Sequence, residues 1–435
     1  MAVQIQKKPD KLVQTSFLFF QNLLGDYRPR DFAIRFWNGA TWDAEPGQPS
    51  RFTLVIRHPG ALRNMFWRPS DLALGEAYIY DDFDVEGDIE SIFALRDHIA
   101  DPRKNAGKWL RCAALLLQLP RNGRHRPGIG RLAARLEGAR HSKERDRQAV
   151  TYHYDVSNEF FSLWLDNLMN YSCAYFESPD EDIDSAQRKK LAYLCRKLRL
   201  QAGEKLLDIG CGWGGLVMHA AREHGVQVRG ITLSKPQAEL ANKRIQEAGL
   251  ADRCRVEVRD YREIDEPESF DKLVSVGMFE HVGEGQLGEY FNRAWRLLKP
   301  GGVFLNHGIG RAANTRRCLG PSFIDTYVFP DSDLLPIHAT LRVAELSGFE
   351  VRDVENLREH YALTLRHWVR RLEAHQKQAR RFTDEVTYRV WRLYMAGSAY
   401  GFEKGQINVY QTLLAKLDRG RSGMPLTRSG WYTAM

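Results

Sequence analysis

At 435 residues the chain exceeds one ordinary sheet domain and predicts two domains, or one with large insertions. A net charge of +8 stands without any DNA- or RNA-binding signature, which argues against a nucleic-acid partner. Six cysteines without paired or zinc-like spacing indicate neither a disulfide framework nor a metal site, and no apolar run approaches the ~20 residues of a membrane span.

Residues 1–120 read as a smaller N-terminal α+β domain. Residues 32–37 and 51–57 alternate like strands, and 89–99 and 106–119 carry helical periodicity. The aromatics Phe66, Trp67, Tyr78, Tyr80 and Phe83 suit core packing or a lipid-facing surface, and the residues themselves assign this domain no chemistry. Residues 121–148 form a basic linker: between Arg121 and Arg147 nine Lys or Arg stand against three Asp or Glu. Arg124, Arg126, Arg131, Arg135, Arg140, Lys143, Arg145 and Arg147 suit an anionic phospholipid surface, with a solvated linker as the plain alternative. The expected setting is a reducing cytoplasm, with any membrane contact peripheral and on the inner face.

Residues 149–420 read as a second domain and 421–435 as a C-terminal tail. Near Lys205 a doubly wound sheet begins, with Leu206-Leu207-Asp208-Ile209 running into Gly210-Cys211-Gly212-Trp213-Gly214-Gly215 and then an amphipathic helix. Glycines in such a turn let the backbone approach a ligand, and the helix N-terminus behind them favours a carboxylate. S-adenosylmethionine carries a carboxylate and no phosphate; dinucleotide-binding turns and purely structural turns also use glycines. Residues 226–232 form a second strand ending in Thr232-Leu233-Ser234-Lys235-Pro236-Gln237, whose side chains reach a ribose or a methionine tail. Residues 255–258 form a third, closed by Asp260-Tyr261, a carboxylate that accepts from an adenine amino group beside a ring that stacks on the base. Strands follow at 271–276 and 303–306 and near Val351 and Ile407. The insertions 311–345 and 361–400 are long enough to cover the carboxyl ends of the strands, the edge where substrates are selected.

Taken singly, Cys173, Glu280, His307 and Tyr361 read as ordinary core residues. The blocks that contain them carry more. Tyr152-His153-Tyr154-Asp155-Val156-Ser157-Asn158, Tyr171-Ser172-Cys173-Ala174-Tyr175-Phe176, the glycine turn, Thr232-Leu233-Ser234, Met278-Phe279-Glu280-His281-Val282-Gly283 and Gly405-Gln406-Ile407 follow one another in register. From about Tyr152 to Gln411 the chain resembles the cyclopropane fatty acid synthase family, including the mycolic acid cyclopropane synthases. Leu74-Gly75-Glu76-Ala77-Tyr78 and Asp84-Val85-Glu86-Gly87 resemble the N-terminal domain of the longer bacterial members.

The resemblance implies an α/β, Rossmann-like class I methyltransferase dependent on S-adenosylmethionine, with a seven-stranded, mostly parallel sheet and helical cap insertions. It implies transfer of a methyl(ene) group to the cis double bond of an unsaturated phospholipid acyl chain, through a carbocation that is deprotonated to close a cyclopropane ring. Bicarbonate is the implied base, held by Glu280, His307, Tyr361 and the backbone N–H groups of Cys173 and Ile309. Tyr175, Phe176 and Phe279 are the expected walls of a water-free pocket. The implied donor contacts are Tyr171, Ser172, Asp208, Gly210, Cys211, Gly212, Trp213, Gly214, Thr232, Leu233, Ser234, Gln237, Asp260, Tyr261 and Arg262, and a homodimer is implied. Sibling reactions giving methyl- or methylene-branched chains, and small-molecule N-methyl transfer, share these blocks and stay open. Where many members have a cysteine after the glycine matching Gly397, this chain has Ser398; a thiolate has no place in the carbocation chemistry, so Ser398 reads as structural.

Overall fold

A computed structural model describes residues 10–99, 106–121, 131–154, 156–315 and 322–432. Arg124, Arg126, Asp155 and Cys318 of the sequence reading lie outside these residues. The chain forms two compact units: one of residues 1–132, 319–327 and 384–397, the other of 133–318, 328–383 and 398–435. Segments 319–327 and 384–397 fall within the stretches read as cap insertions, and they pack into the first unit.

In the first unit a helix, Lys11–Leu24, starts at Asp10, whose carboxylate accepts from the N–H of Leu12 at 2.9 Å. Its buried face, Phe19, Phe20, Leu23 and Leu24, accompanies a four-stranded sheet. The strands are β1 (Phe32–Arg35), β2 (Thr41–Trp42), β3 (Phe52–Ile56) and β4 (Phe83–Gly87), in the order β2-β1-β3-β4. The expected strands are β1 and β3, and they pair in parallel; the expected helices are Ile92–Ile99 and Ala106–Leu117. The later segments are drawn in by buried polar groups. Arg392 Nη1 donates to the Tyr78 hydroxyl at 2.8 Å, and Arg389 Nη1 to the Tyr78 carbonyl at 2.8 Å. The Tyr327 hydroxyl donates to Glu76 at 3.1 Å. Each buried charge is thus hydrogen-bonded, as low-dielectric burial demands.

The second unit holds the expected sheet. Its strands are β5 (Lys205–Ile209), β6 (Gln227–Thr232), β7 (Cys254–Val258), β8 (Phe270–Val276), β9 (Leu298–Arg311), β10 (Glu350–Asn356) and β11 (Ile407–Ala415). The order is β10-β11-β9-β8-β5-β6-β7. Pairs from β9 through β7 are parallel, and β11 runs antiparallel to both β9 and β10. Buried apolar clusters cover the two faces: one gathers Leu206, Val228 and Val274 with the helices Ile183–Leu198 and Gly215–His224, the other Leu207, Leu273 and Phe304 with Leu287–Leu297. Chain order reverses between β5 and β8, so a crevice opens at their carboxyl ends. Among the described residues no helix is long and apolar enough to cross a membrane.

The helix Ile183–Leu198 is fastened to β10 by Lys197, whose buried ammonium lies 3.1 Å from Asp353 and 2.5 Å from Glu355. Replacing Lys197 by Met leaves two carboxylates facing an apolar stem. Chemical denaturation should show a loss of about 2–4 kcal/mol. In the basic linker Arg145 is committed to protein partners, donating to Asp331 at 3.1 Å and to the Gly138 carbonyl at 3.0 Å. Arg135, Arg140 and Arg147 are exposed.

Candidate functional site

After β5 the chain turns through Gly210 (φ +85°), Gly212 (φ +54°) and Gly214 (φ +78°), backbone conformations that side chains disfavour. At Gly210 the space is also taken: a Cβ there would lie 2.7 Å from Met278 Cβ. The turn borders a cavity at the carboxyl ends of β5, β6 and β8. Of the residues expected at a donor site, Tyr171, Ser172, Asp208, Gly210, Cys211, Gly212, Trp213, Thr232, Leu233, Gln237, Asp260, Tyr261 and Arg262 line it. Gly214 and Ser234 stand behind the wall as N-caps of the helices Gly215–His224 and Lys235–Glu247.

Gln237 shows how the wall is prepared for a ligand. Its Oε1 accepts from the Thr232 hydroxyl at 2.8 Å, while its Nε2 is buried with no partner, leaving a donor for a carboxylate or a sugar oxygen. At the far end both carboxylate oxygens of Asp260 are taken by Arg262: Oδ1 accepts from Nε at 2.9 Å, and Oδ2 from Nη2 at 2.6 Å. Arg262 also meets Asp146 at 3.0 Å and lies 5.4 Å from the Tyr261 ring centre. The carboxylate expected to meet an adenine amino group is therefore already paired, and the Arg262 side chain shares that edge of the cavity.

Lys190 and Asp146 are among the wall residues that escaped the sequence reading. Lys190 lines the cavity and donates to the Ser172 hydroxyl at 3.0 Å. Burial lowers its ammonium to about 8, and burial raises Asp208 to about 7, with Lys190 offsetting part of that rise. The signal was present, because Gln187 and Lys190 occupy the buried stripe of an amphipathic helix with Ile183, Ala186, Leu191 and Leu194. Asp146 stands at the edge of the basic linker.

Behind the cavity stands another group. Met278 and His281 line the cavity on either side of the turn Phe279–His281 that carries Glu280. Glu280 Oε1 accepts the Ile309 N–H at 2.6 Å, whereas Oε2 is buried without a partner. Burial raises its carboxyl to about 7. The N–H of Ile309, expected to face a bound ion, is thus occupied by Glu280. His307 pairs in β9 with Val276 of the cavity wall. The Gln411 amide donates to His307 Nδ1 at 3.4 Å, which leaves the proton on Nε2, and that atom is buried without a partner. Burial lowers this imidazole to about 3, with the cations of Lys190 and Lys197 adding to the effect.

Cys173 follows Ser172 of the wall. Its thiol donates to the Ala174 carbonyl at 3.3 Å, and burial pushes it far above the ordinary thiol range; it is a packed hydrophobe here and no nucleophile. The helix Arg358–Ala374 is tied to this segment: Ala174 N–H donates to the Thr364 hydroxyl at 3.0 Å and Phe176 N–H to His360 Nδ1 at 3.0 Å. Tyr361 lies on this helix, its ring 4.6 Å from Phe402 and 6.0 Å from Trp368. Of the expected apolar walls, Tyr175 stacks on His360 at 4.9 Å, Phe176 on His367 at 5.6 Å, and Phe279 packs into the core against Tyr290. Ser398 is buried. On the helix-covered face Cys195, His219 and His224 place one ligand atom each within 4.8 Å of one another, a juxtaposition their spacing along the chain did not announce.

The depressed imidazole has a consequence for stability. His307 titrates near 3 when folded and near ~6.5 when unfolded, so the unfolded state binds more protons between those values. Its contribution is complete above the unfolded value and is lost as pH falls towards 3. A His307→Gln variant should lose melting temperature less steeply than the parent between about pH 6.5 and 4, as followed by circular dichroism; parallel curves would contradict the burial argument.

Residues 141–412 match the family described as mycolic acid cyclopropane synthetase, and residues 19–101 match a domain of unknown function. The chain is 40% identical over 405 residues to a probable fatty acid methyltransferase of Pseudomonas putida, covering 92% of this chain and 95% of that protein. It is 36% identical over 286 residues to the cyclopropane-fatty-acyl-phospholipid synthase of Escherichia coli K12, covering 65% and 72%. A solved mycolic acid cyclopropane synthase complexed with SAH and CTAB is 37% identical, with a TM-score of 0.58 over 62% of this chain and 97% of that one.

Proposed function

The chain belongs to the mycolic acid cyclopropane synthetase family, with the Rossmann-like fold of class I methyltransferases, and from that membership and its site we propose a reaction. It transfers the methyl group of S-adenosylmethionine to the cis double bond of an unsaturated acyl chain in a membrane phospholipid, and closes a cyclopropane ring. The observation that carries the reading is the pair of buried, unpartnered atoms, Glu280 Oε2 and His307 Nε2, directly behind the wall of a glycine-turn cavity.

The alkene attacks the sulfonium methyl, whose bond to sulfur breaks to release S-adenosylhomocysteine, leaving a carbocation with no lone pair to anchor. The protein's task is to exclude water and to hold one negative group beside the new methyl until a proton leaves it. The second unit offers a dry, apolar setting for this: Cys173, Tyr361, Leu357 and Trp368 are buried, the Cys173 thiol reaches the Leu357 carbonyl, and the Tyr361 ring lies 6.0 Å from Trp368. The residues also fit a bicarbonate: Glu280 Oε2 accepts an O–H, and His307 Nε2–H donates to an oxygen. Such an ion, when bound, supplies a general base. Gln237 Nε2 is the donor we assign to the methyl donor's polar end. In this reading the enzyme works at a membrane surface without spanning it, as a homodimer.

A second reading is favoured by one comparison. The relative that covers 92% of the chain is named as a fatty acid methyltransferase, whereas the cyclopropane synthase covers 65%. If a hydride first shifts from the methyl-bearing carbon to the cationic carbon, loss of a proton from the methyl group then gives a methylene branch. Both readings share one test: purified protein, vesicles of cis-monounsaturated phospholipid and S-adenosylmethionine labelled in the methyl group. Label is expected in the acyl chains released by saponification. Label confined to head groups or to added small amines would overturn the proposal.

A further inference from the structure

A second, apolar cavity lies wholly within the first unit. Phe20, Leu24, Phe66, Ile92, Phe323 and Leu393 are among its walls, which therefore combine the N-terminal helix, the strand-and-helix core and both later segments. Two glycines in its lining let aromatic rings of the wall pack directly onto the backbone. A Cβ on Gly75 would lie 2.2 Å from the Phe323 ring, and one on Gly397 2.8 Å from the Phe93 ring. Gly75 belongs to the Leu74–Tyr78 block, to which the transfer chemistry gives no task.

The lining is apolar except at one place, where Asp71 and Arg96 approach each other at 3.8 Å with about half and a third of their side-chain surfaces exposed. Arg96 also lies 5.4 Å from the Phe93 ring centre, and the exposed Ile324 lies in the same lining. An apolar chamber with a single charged rim matches an amphiphile: a hydrocarbon chain inside and a polar end at the rim. The rim carries both signs, so it accepts the polar end without demanding a net charge.

We infer that the first unit holds an acyl chain in this cavity, with its polar end at Asp71 and Arg96, at a site separate from the glycine-turn cavity. The chain comes either as a free fatty acid or as one tail of a phospholipid. This inference does not rest on the transfer reaction, and the labelling that tests it is done without S-adenosylmethionine.

Full-length protein would be irradiated with a diazirine-bearing fatty acid and, in parallel, with phosphatidylcholine vesicles carrying the same acyl chain, and labelled peptides mapped by mass spectrometry. Labels are expected in peptides spanning residues 65–99 and 385–397. Filling the cavity by Leu393→Trp or, independently, by Ile92→Trp should lower that labelling at least tenfold, in variants whose melting temperature and S-adenosylmethionine binding match the parent. Labelling by the fatty acid alone identifies the free acid as ligand, and labelling from vesicles alone identifies a phospholipid tail. Labels confined to residues 133–318, or unchanged labelling in both folded variants, would overturn the inference.

Discussion

Glu280→Gln is expected to cut turnover by about 100-fold or more while leaving S-adenosylmethionine affinity within about twofold. The amide keeps the shape and can still accept the Ile309 N–H through its oxygen, so the turn after β8 stays in place. What changes is the other atom: Oε2, buried and unpartnered, becomes an NH2 that donates and cannot accept. Because Glu280 does not line the donor cavity, donor binding is spared. Calorimetric titration with S-adenosylmethionine and initial rates on lipid vesicles separate the two effects, and unchanged turnover would remove Glu280 from the mechanism. The pH profile gives an independent check. Burial raises this carboxyl to about 7, and the ionised form is the one required. In the parent, kcat/KM should therefore fall as pH drops below about 7.

Gly210→Ala is expected to do the reverse, weakening donor binding while the protein still folds. A Cβ at this position would sit 2.7 Å from Met278 Cβ and 2.9 Å from Met278 Cγ, and the φ of +85° adds about 1–2 kcal/mol of backbone strain. Neither conflict is relieved without moving the turn or Met278, and both line the cavity. Affinity should fall by about 100-fold, equivalent to about 3 kcal/mol, with little change in circular dichroism. Donor affinity within about threefold of the parent would show that the turn is merely structural.

The sheet was legible because its strands are short apolar runs ended by glycine or a polar cap. Leu206 to Gly210 is such a run, and the expected 226–232, 255–258 and 271–276 fall within a residue or so of β6, β7 and β8. β4 was not legible: Phe83–Gly87 has two acidic residues and a glycine in five positions, and alternation is lost after Val85. Its pairing with β3 supplies what propensity does not. Nor does any local pattern announce that 319–327 and 384–397 belong to the first unit. Their anchors, Tyr327 on Glu76 and Arg389 and Arg392 on Tyr78, join residues about 250 to 310 positions apart.

The candidate site divides along the same line. The glycine turn and the residues just after strand ends could be placed from the sequence, since a doubly wound sheet puts ligands there. Arg262 closing on Asp260, Lys190 facing the cavity and the Ile309 N–H held by Glu280 are side-chain pairings, decided by which groups burial leaves in need of a partner. Two residues after Asp260, an arginine within capping distance is a signal that the carboxylate has a competitor.

The central claim, that the chain alkylates an acyl double bond, is tested most directly by the mass of the lipid product. Cis-monounsaturated phospholipid would be incubated with the enzyme and S-adenosylmethionine, and its acyl chains measured before and after mild hydrogenation. A gain of one CH2 that resists hydrogenation is the expected result and identifies the cyclopropane; a gain that then takes up hydrogen identifies the methylene branch. Acyl chains of unchanged mass, with methyl donor consumed, would contradict the account.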